Sequence, residues 1–204
     1  MKPSTQLVIS ASRRTDIPAF YMDWFINQID KGFFEVINPY NRKKSRIPAT
    51  ADNIHTLVFW SKNFAPFIEG GFGQKFLAMG YNLFFNFTVN SFNMDLEPNV
   101  PNLDDRLDQM EELCKRFNPK TVQWRFDPIC FYKDSHGHEK HNLDDFETIA
   151  ERAGHCRVEQ CITSFVDLYR KVVKRSQHVD GVSFFDPVIE EKVKILCHME
   201  KMLD

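Results

Sequence analysis

Six short runs rich in Val, Ile, Phe and Thr alternate with six longer stretches whose apolar residues recur three and four positions apart, and this alternation constrains the fold more than any other feature of the chain. The short runs, at residues 7–10, 34–38, 56–61, 82–89, 122–126 and 161–165, have the length and composition of buried strands. The longer stretches, at residues 19–31, 64–79, 104–117, 143–153, 167–174 and 188–203, read as amphipathic helices. In the third of them Leu103, Leu107, Met110, Leu113 and Phe117 form the apolar stripe. Strand-then-helix repetition predicts an α/β protein with a parallel sheet covered by helices, either doubly wound or a barrel. No G-x-G-x-x-G follows a strand, which weakens the dinucleotide-binding form. The expected fold is therefore a set of (β/α) repeats forming a partial or TIM-like barrel of about six strands, with residues 1–204 as one domain.

Composition agrees with a packed interior. Hydrophobic residues make up 43% of the 204 positions and charged residues 26%, and 20 phenylalanines predict aromatic packing. With 26 basic against 28 acidic side chains the net charge is −2, so attraction to nucleic acid or membrane has to be local. No run approaches the ~18 apolar residues of a membrane span, and the amino terminus has too short an apolar stretch for a signal peptide, so a cytoplasmic protein is expected. The five cysteines, Cys114, Cys130, Cys156, Cys161 and Cys197, lack the spacing of a disulfide framework or a zinc site and read as free thiols.

Two segments interrupt the rhythm. NPYNRKKSRIPA, residues 38–49, is a basic loop, and YKDSHGHEKHN, residues 132–142, is a polar excursion. His136, His138 and His141 are spaced H-x-H-x2-H, but they lie among Lys133, Asp134 and Lys140 and read as a solvated loop, so no metal site is expected. GGFGQ, residues 70–74, reads as a helix end or break and not as a phosphate loop. No G-x-S-x-G, H-E-x-x-H or Walker sequence occurs.

Parallel α/β folds bind ligands beyond the carboxyl ends of their strands, so the residues that follow each strand are the candidate site. The first strand is followed by Arg13, Arg14 and Asp16, the second by Asn38, the third by Lys62 and Asn63, and the fourth by Glu97. The fifth ends in WRFDP, giving Arg125 and Asp127, and the sixth ends in Ser164 and Asp167. A charge buried unpaired between Trp124 and Phe126 costs several kcal/mol, so Arg125 has to reach a polar mouth or a carboxylate, with Glu97 and Asp127 the natural partners. Asp16, two residues before Pro18, is also placed to cap a helix, which does not exclude a binding role. Asp127 before Pro128 also suits a turn. Adjacent Arg13 and Arg14 cannot both face one side of an extended chain, so one reaches a ligand while the other pairs within the protein.

Several of these stretches occur together in order: SASRRTDIPAFY, NPYN followed by SRI, VFWSKN, DLEPNVP, WRFDPI and SFVDLYRKV. As a set they resemble the bacterial family known as domain of unknown function 1848, over nearly the whole chain. The resemblance implies a barrel-like protein related to radical S-adenosylmethionine enzymes. It also implies an iron–sulfur cluster held by closely spaced carboxy-terminal cysteines, of which this chain has none, so no cofactor is evident in it. It supports Arg13, Arg14, Asp16, Asn38, Arg46, Lys62, Asn63, Glu97, Arg125, Asp127, Ser164 and Asp167 without saying what they bind.

The expected partner is a small phosphorylated or otherwise anionic ligand, with Arg13, Arg14, Lys62 and Arg125 as the electropositive wall. Glu97, Asp127 and Lys62 are the candidate catalytic residues, as acids, bases or orienters of the arginines. The alternatives are nucleic-acid binding through the basic NRKKSR loop, or a shortened, inactive family member. The sequence does not give the oligomeric state.

Overall fold

The computed structural model describes residues 6–12, 15–170 and 181–203. Five strands build the main sheet: β1 (Leu7–Ser10), β4 (Ile54–Ser61), β5 (Asn82–Thr88), β6 (Val122–Ile129) and β9 (Cys161–Phe165). They lie in the order β1-β4-β5-β6-β9, all parallel, each pairing with its neighbour in chain order. Because the order never reverses, right-handed crossovers carry every helix to one face, and the sheet curls as a half-barrel.

The crossovers are α1 (Ile17–Phe20) with α2 (Met22–Lys31), α3 (Ala65–Glu69) with α4 (Phe72–Ala78), α5 (Leu103–Phe117), and α6 (Phe146–His155). The stretch expected as one helix over residues 64–79 is two, divided at Gly70 and Gly71, where Gly71 adopts φ +63°, a conformation only glycine takes without strain. Thus GGFGQ is a helix break. A carboxy-terminal helix, α7 (Ile189–Leu203), packs on α6. The helix expected at residues 167–174 lies largely outside the described residues.

Burial alternates along the strands as the one-sided cover requires. Leu57 and Phe59 of β4, Leu83, Phe85 and Phe87 of β5, and Val122, Trp124 and Phe126 of β6 are buried on the helix side. Of their opposite-facing neighbours, Val58, Trp60, Phe84, Thr88, Arg125 and Asp127 are only partly covered, whereas the polar Asn86 and Gln123 are buried. The helix side is an aromatic core in which Phe59, Phe64, Phe67, Phe76, Phe85 and Phe117 contact one another edge-on or stacked.

Two corrections to the expected barrel follow. Residues 34–38 do not form a barrel strand: β2 (Phe33–Ile37) pairs antiparallel with β3 (Lys44–Pro48), which the basic loop supplies, and this hairpin stands apart from the main sheet. Its Phe34 packs on Trp24 and Phe25 of α2, so an apolar residue that looked like sheet interior anchors a ribbon instead. The sheet therefore has five strands and stays open, with β1 and β9 as its two edges among the described residues. The polar excursion is also ordered. β7 (Phe131–Lys133) and β8 (Glu139–His141) form a hairpin extended by β10 (Ser183–Phe185) into a second, antiparallel sheet. No helix among the described residues is long and apolar enough to cross a membrane.

Candidate functional site

All five main strands contribute polar groups at or just beyond their carboxyl ends, and these meet. Asp16 joins the first two. One carboxylate oxygen accepts the Ala19 N–H at 3.1 Å and caps α1, while the other accepts the Ser61 hydroxyl at 2.9 Å and the Lys62 N–H at 3.3 Å. The capping role and the site role thus coexist in one side chain. Burial raises the Asp16 carboxyl above its ordinary value, and its hydrogen bonds work against that rise.

Lys62 follows Ser61 at the end of β4 and forms an ion pair with Glu97. Glu97 is held by a tight turn in the β5–α5 connection. Its N–H donates to the Asn93 carbonyl at 2.8 Å, the Asn93 side-chain oxygen accepts the N–H groups of Asp95 and Leu96, and the Asn93 amide donates to the Tyr132 hydroxyl on β7 at 2.7 Å. The second sheet therefore buttresses the loop that carries Glu97. Burial draws the Lys62 ammonium down to about 8, and the neighbouring Arg106 adds to this, while Cys130, Asp127 and Asp16 oppose it. Contact with Glu97 likewise favours the charged lysine.

Arg125 and Asp127, two residues apart on β6, share a face and pair with each other. The guanidinium also lies over the Trp60 ring of β4, 4.7 Å from its centroid. The second Asp127 oxygen accepts the Ser164 hydroxyl from β9. A continuous chain, Trp60–Arg125–Asp127–Ser164, so crosses the uncovered face. Of the two carboxylates within reach, Arg125 takes Asp127 and Lys62 takes Glu97.

Beyond Arg125 the strand leaves its neighbours, and the β6–β9 register slips between Phe126 and Ile129. Two asparagine side chains take over the backbone pairing there. Asn90 accepts the Asp127 N–H at 2.9 Å and donates to the Asp127 carbonyl at 3.4 Å. Asn142 accepts the Cys130 N–H at 2.8 Å and donates to the Pro128 carbonyl at 3.0 Å. The Asn90 carbonyl is in turn held at 3.0 Å by Arg106 of α5, a guanidinium only 1% exposed. Asn142 and Arg106 were absent from the sequence-derived site, and the segment they support is its centre. A cavity of about 150 Å³ opens beside them, lined by Asn90, Ser91, Glu97, Pro128, Cys130 and Asn142.

The remaining candidates lie elsewhere. Asn38 accepts the Tyr40 N–H at 2.9 Å to fold the hairpin turn, and Arg46 contacts Glu35 and the Phe33 ring, so the interactions of both are within the hairpin. Asn63 turns back onto α3, where its side chain accepts the Ala65 N–H at 3.1 Å. Asp167 is exposed in the segment after β9. Arg13 and Arg14 lie outside the described residues.

A profile of the family described as domain of unknown function, DUF1848, matches residues 8–204. The chain belongs to the DUF1848 family. No curated protein and no solved structure matches it. The cysteines of this DUF1848 protein do not fit an iron–sulfur cluster. Cys114 and Cys156 line one cleft between α5 and α6, Cys130 lies at the mouth, Cys161 is in β9 and Cys197 is exposed on α7. No group of three or more His, Cys, Asp or Glu among the described residues is arranged to hold a metal ion.

The buried thiols of the DUF1848 chain make its stability sensitive to alkali. Burial pushes Cys114 and Cys161 up to about 12 and Cys130 up to about 11, from an ordinary 9.0. Above pH 9 the unfolded chain loses thiol protons that the native state keeps, so stability falls as pH rises. Lys62, lowered from 10.5 to about 8, acts oppositely between those values, as one group against four thiols, since burial raises Cys156 as well. Urea melts at pH 8, 9, 10 and 11 should show stability nearly level to pH 9 and then falling by about 1–3 kcal/mol per pH unit. A curve that rises from pH 9 to 10.5 would contradict these assignments.

Proposed function

We propose that the mouth of the half-barrel binds a small anionic ligand, a phosphate monoester or a carboxylate, and that Lys62, Glu97 and Asp127 handle protons on it. The observation that carries this reading is the pairing pattern. Lys62 and Arg125, from adjacent regions of one open face, are each held by a carboxylate in a partly covered site, with side chains 33% and 15% exposed. Charge in the described mouth is balanced: Lys62, Arg106 and Arg125 face Asp16, Glu97 and Asp127. An anion therefore binds by exchange, taking Lys62 or Arg125 from its internal carboxylate. The released Glu97 or Asp127 becomes a free base beside the ligand. Lys62 drawn toward 8 is suited to donate a proton near neutral pH. No electropositive wall is needed for this exchange.

The test is thermal stabilisation by inorganic phosphate, simple phosphate monoesters and di- and tricarboxylates. The wild-type chain should be stabilised by at least one of these, and Arg125→Ala should abolish the shift. A variant with Lys43 and Lys44 changed to glutamine should keep it. If the hairpin variant loses the shift while Arg125→Ala retains it, the mouth is not the site.

A second reading, nucleic-acid contact through the hairpin, is favoured by Tyr40, 95% exposed at its tip beside Arg42 and Lys43. Lys44 and Arg46 are already engaged by Glu35. Binding of an oligonucleotide should then fall steeply with salt, and binding indifferent to salt would exclude this reading.

A further inference from the structure

A second cavity, of about 390 Å³, lies between α6, the loop that precedes it, and α7; its lining residues His141 and Leu143 flank Asn142 of the mouth. Its floor is apolar: Phe146 and Met199 are buried, and Leu143, Ile195 and Met202 are partly buried. Its rim is charged, with opposite signs on opposite walls. Asp144 and Glu147 stand on the α6 side, and Lys194 and His198 stand one turn apart on α7. Among the described residues no ion pair joins the two walls: Asp144 lies 3.5 Å from His141 on its own side, while Glu147, Lys194 and His198 form none. The same His141 nitrogen lies 3.3 Å from the Leu143 N–H, so both of its contacts are on the acidic side of the cavity.

Lys194 and Glu147 are both exposed, on opposite sides of the apolar floor. Here an apolar floor large enough for a small ligand is flanked by an unpaired cation and an unpaired anion. A molecule that satisfies all three surfaces carries a positive group, a negative group and an apolar body. We infer that this cavity binds a free α-amino acid with a large apolar side chain, its carboxylate toward Lys194 and His198, its ammonium toward Asp144 and Glu147, and its side chain on Phe146, Met199 and Met202. This site shares no lining residue with the mouth cavity and does not rest on the reading proposed for it.

Calorimetric titration of the full chain with L-leucine, L-methionine and L-phenylalanine tests the inference. Isocaproic acid, which is leucine without its ammonium, and isoamylamine, which lacks the carboxylate, are the controls. At least one amino acid should bind about ten-fold more tightly than either control, the effect of one further charge-assisted contact at a partly exposed rim. Lys194→Met should weaken amino-acid binding about ten-fold and leave isoamylamine unchanged, and Glu147→Gln should do so while leaving isocaproic acid unchanged. Both positions are exposed, so the fold should survive, and Arg125→Ala should have no effect. Absence of binding by all three amino acids at millimolar concentration overturns the inference, as does equal affinity for the single-charge controls or indifference to both substitutions. Concentration-dependent dimerisation that Lys194→Met abolishes, without amino-acid binding, would assign the face to a second copy of the chain and equally overturn it.

Discussion

Phe85→Ala should lower the free energy of unfolding by about 3–5 kcal/mol, the largest single-residue loss expected in this protein. Phe85 is fully buried in the central strand and contacts the rings of Phe59, Phe64, Phe67 and Phe117, which come from β4, α3 and its approach, and α5. Truncation removes apolar area and leaves a void walled by rings that are themselves locked against neighbours, so little collapse can offset it. Phe20, 73% exposed at the end of α1, is the matched control, and its alanine variant should stay within about 0.5 kcal/mol of wild type. Urea denaturation of the two variants measures the contrast. A loss below about 1 kcal/mol at Phe85 would show that the aromatic cluster is not the stabilising core described above.

Asn90→Ala should combine a stability loss of about 2 kcal/mol with loss of the anion-dependent stabilisation expected at the mouth. The Asn90 side chain satisfies both backbone groups of Asp127 where β6 departs from β5, and alanine leaves the N–H and the carbonyl without those partners. Asp127 is the link between Arg125 and Ser164, so its backbone sets the position of the whole chain of contacts. Asn82→Ala, at the amino end of β5, removes a comparable amide bond to the His55 carbonyl and should leave anion response unchanged. Asn90 acts through Asp127, which makes it a positioning residue. An Asn90→Ala protein that is destabilised yet responds normally to anions would reduce it to a structural role.

The central strands β4, β5 and β6 were legible because each is buried on one face at least, and burial writes itself as Val, Ile and Phe. Residues 34–38 misled for the same reason: Phe34 is buried, but against α2, and its pairing partner KSRIP is too polar to read as a strand. The β7–β8 hairpin was hidden likewise, since Glu139, Lys140 and His141 carry no apolar alternation. At the site, Lys62, Glu97, Arg125, Asp127 and Ser164 were legible as strand-end polar residues, but which carboxylate meets which cation depends on loop geometry fixed by Asn93 and Tyr132. Arg106 did leave a signal that went unused: it lies four, seven and eleven residues before Met110, Leu113 and Phe117, on the buried stripe of α5. A cation at such spacing has to find carbonyl or carboxylate partners inside. Asn142 left none, because an amide in a polar hairpin has no pattern until the strand it serves is in place.

The one-directional strand order also ranks the site's members by how readily each opens. β5 is flanked on both sides and lies at the centre of the sheet, whereas β1 and β9 each have a single neighbour among the described residues. Backbone amides should thus exchange with solvent slowest in β5 and soonest at the two edges, where local opening is least costly. The residue that β9 brings to the site, Ser164, and the chain leading from β1 to Asp16 belong to those edges, while Lys62 and Arg125 stand on the strands next to the centre. A ligand that engages the mouth would then register as slowed exchange in β1 and β9, far more than in the already protected β5.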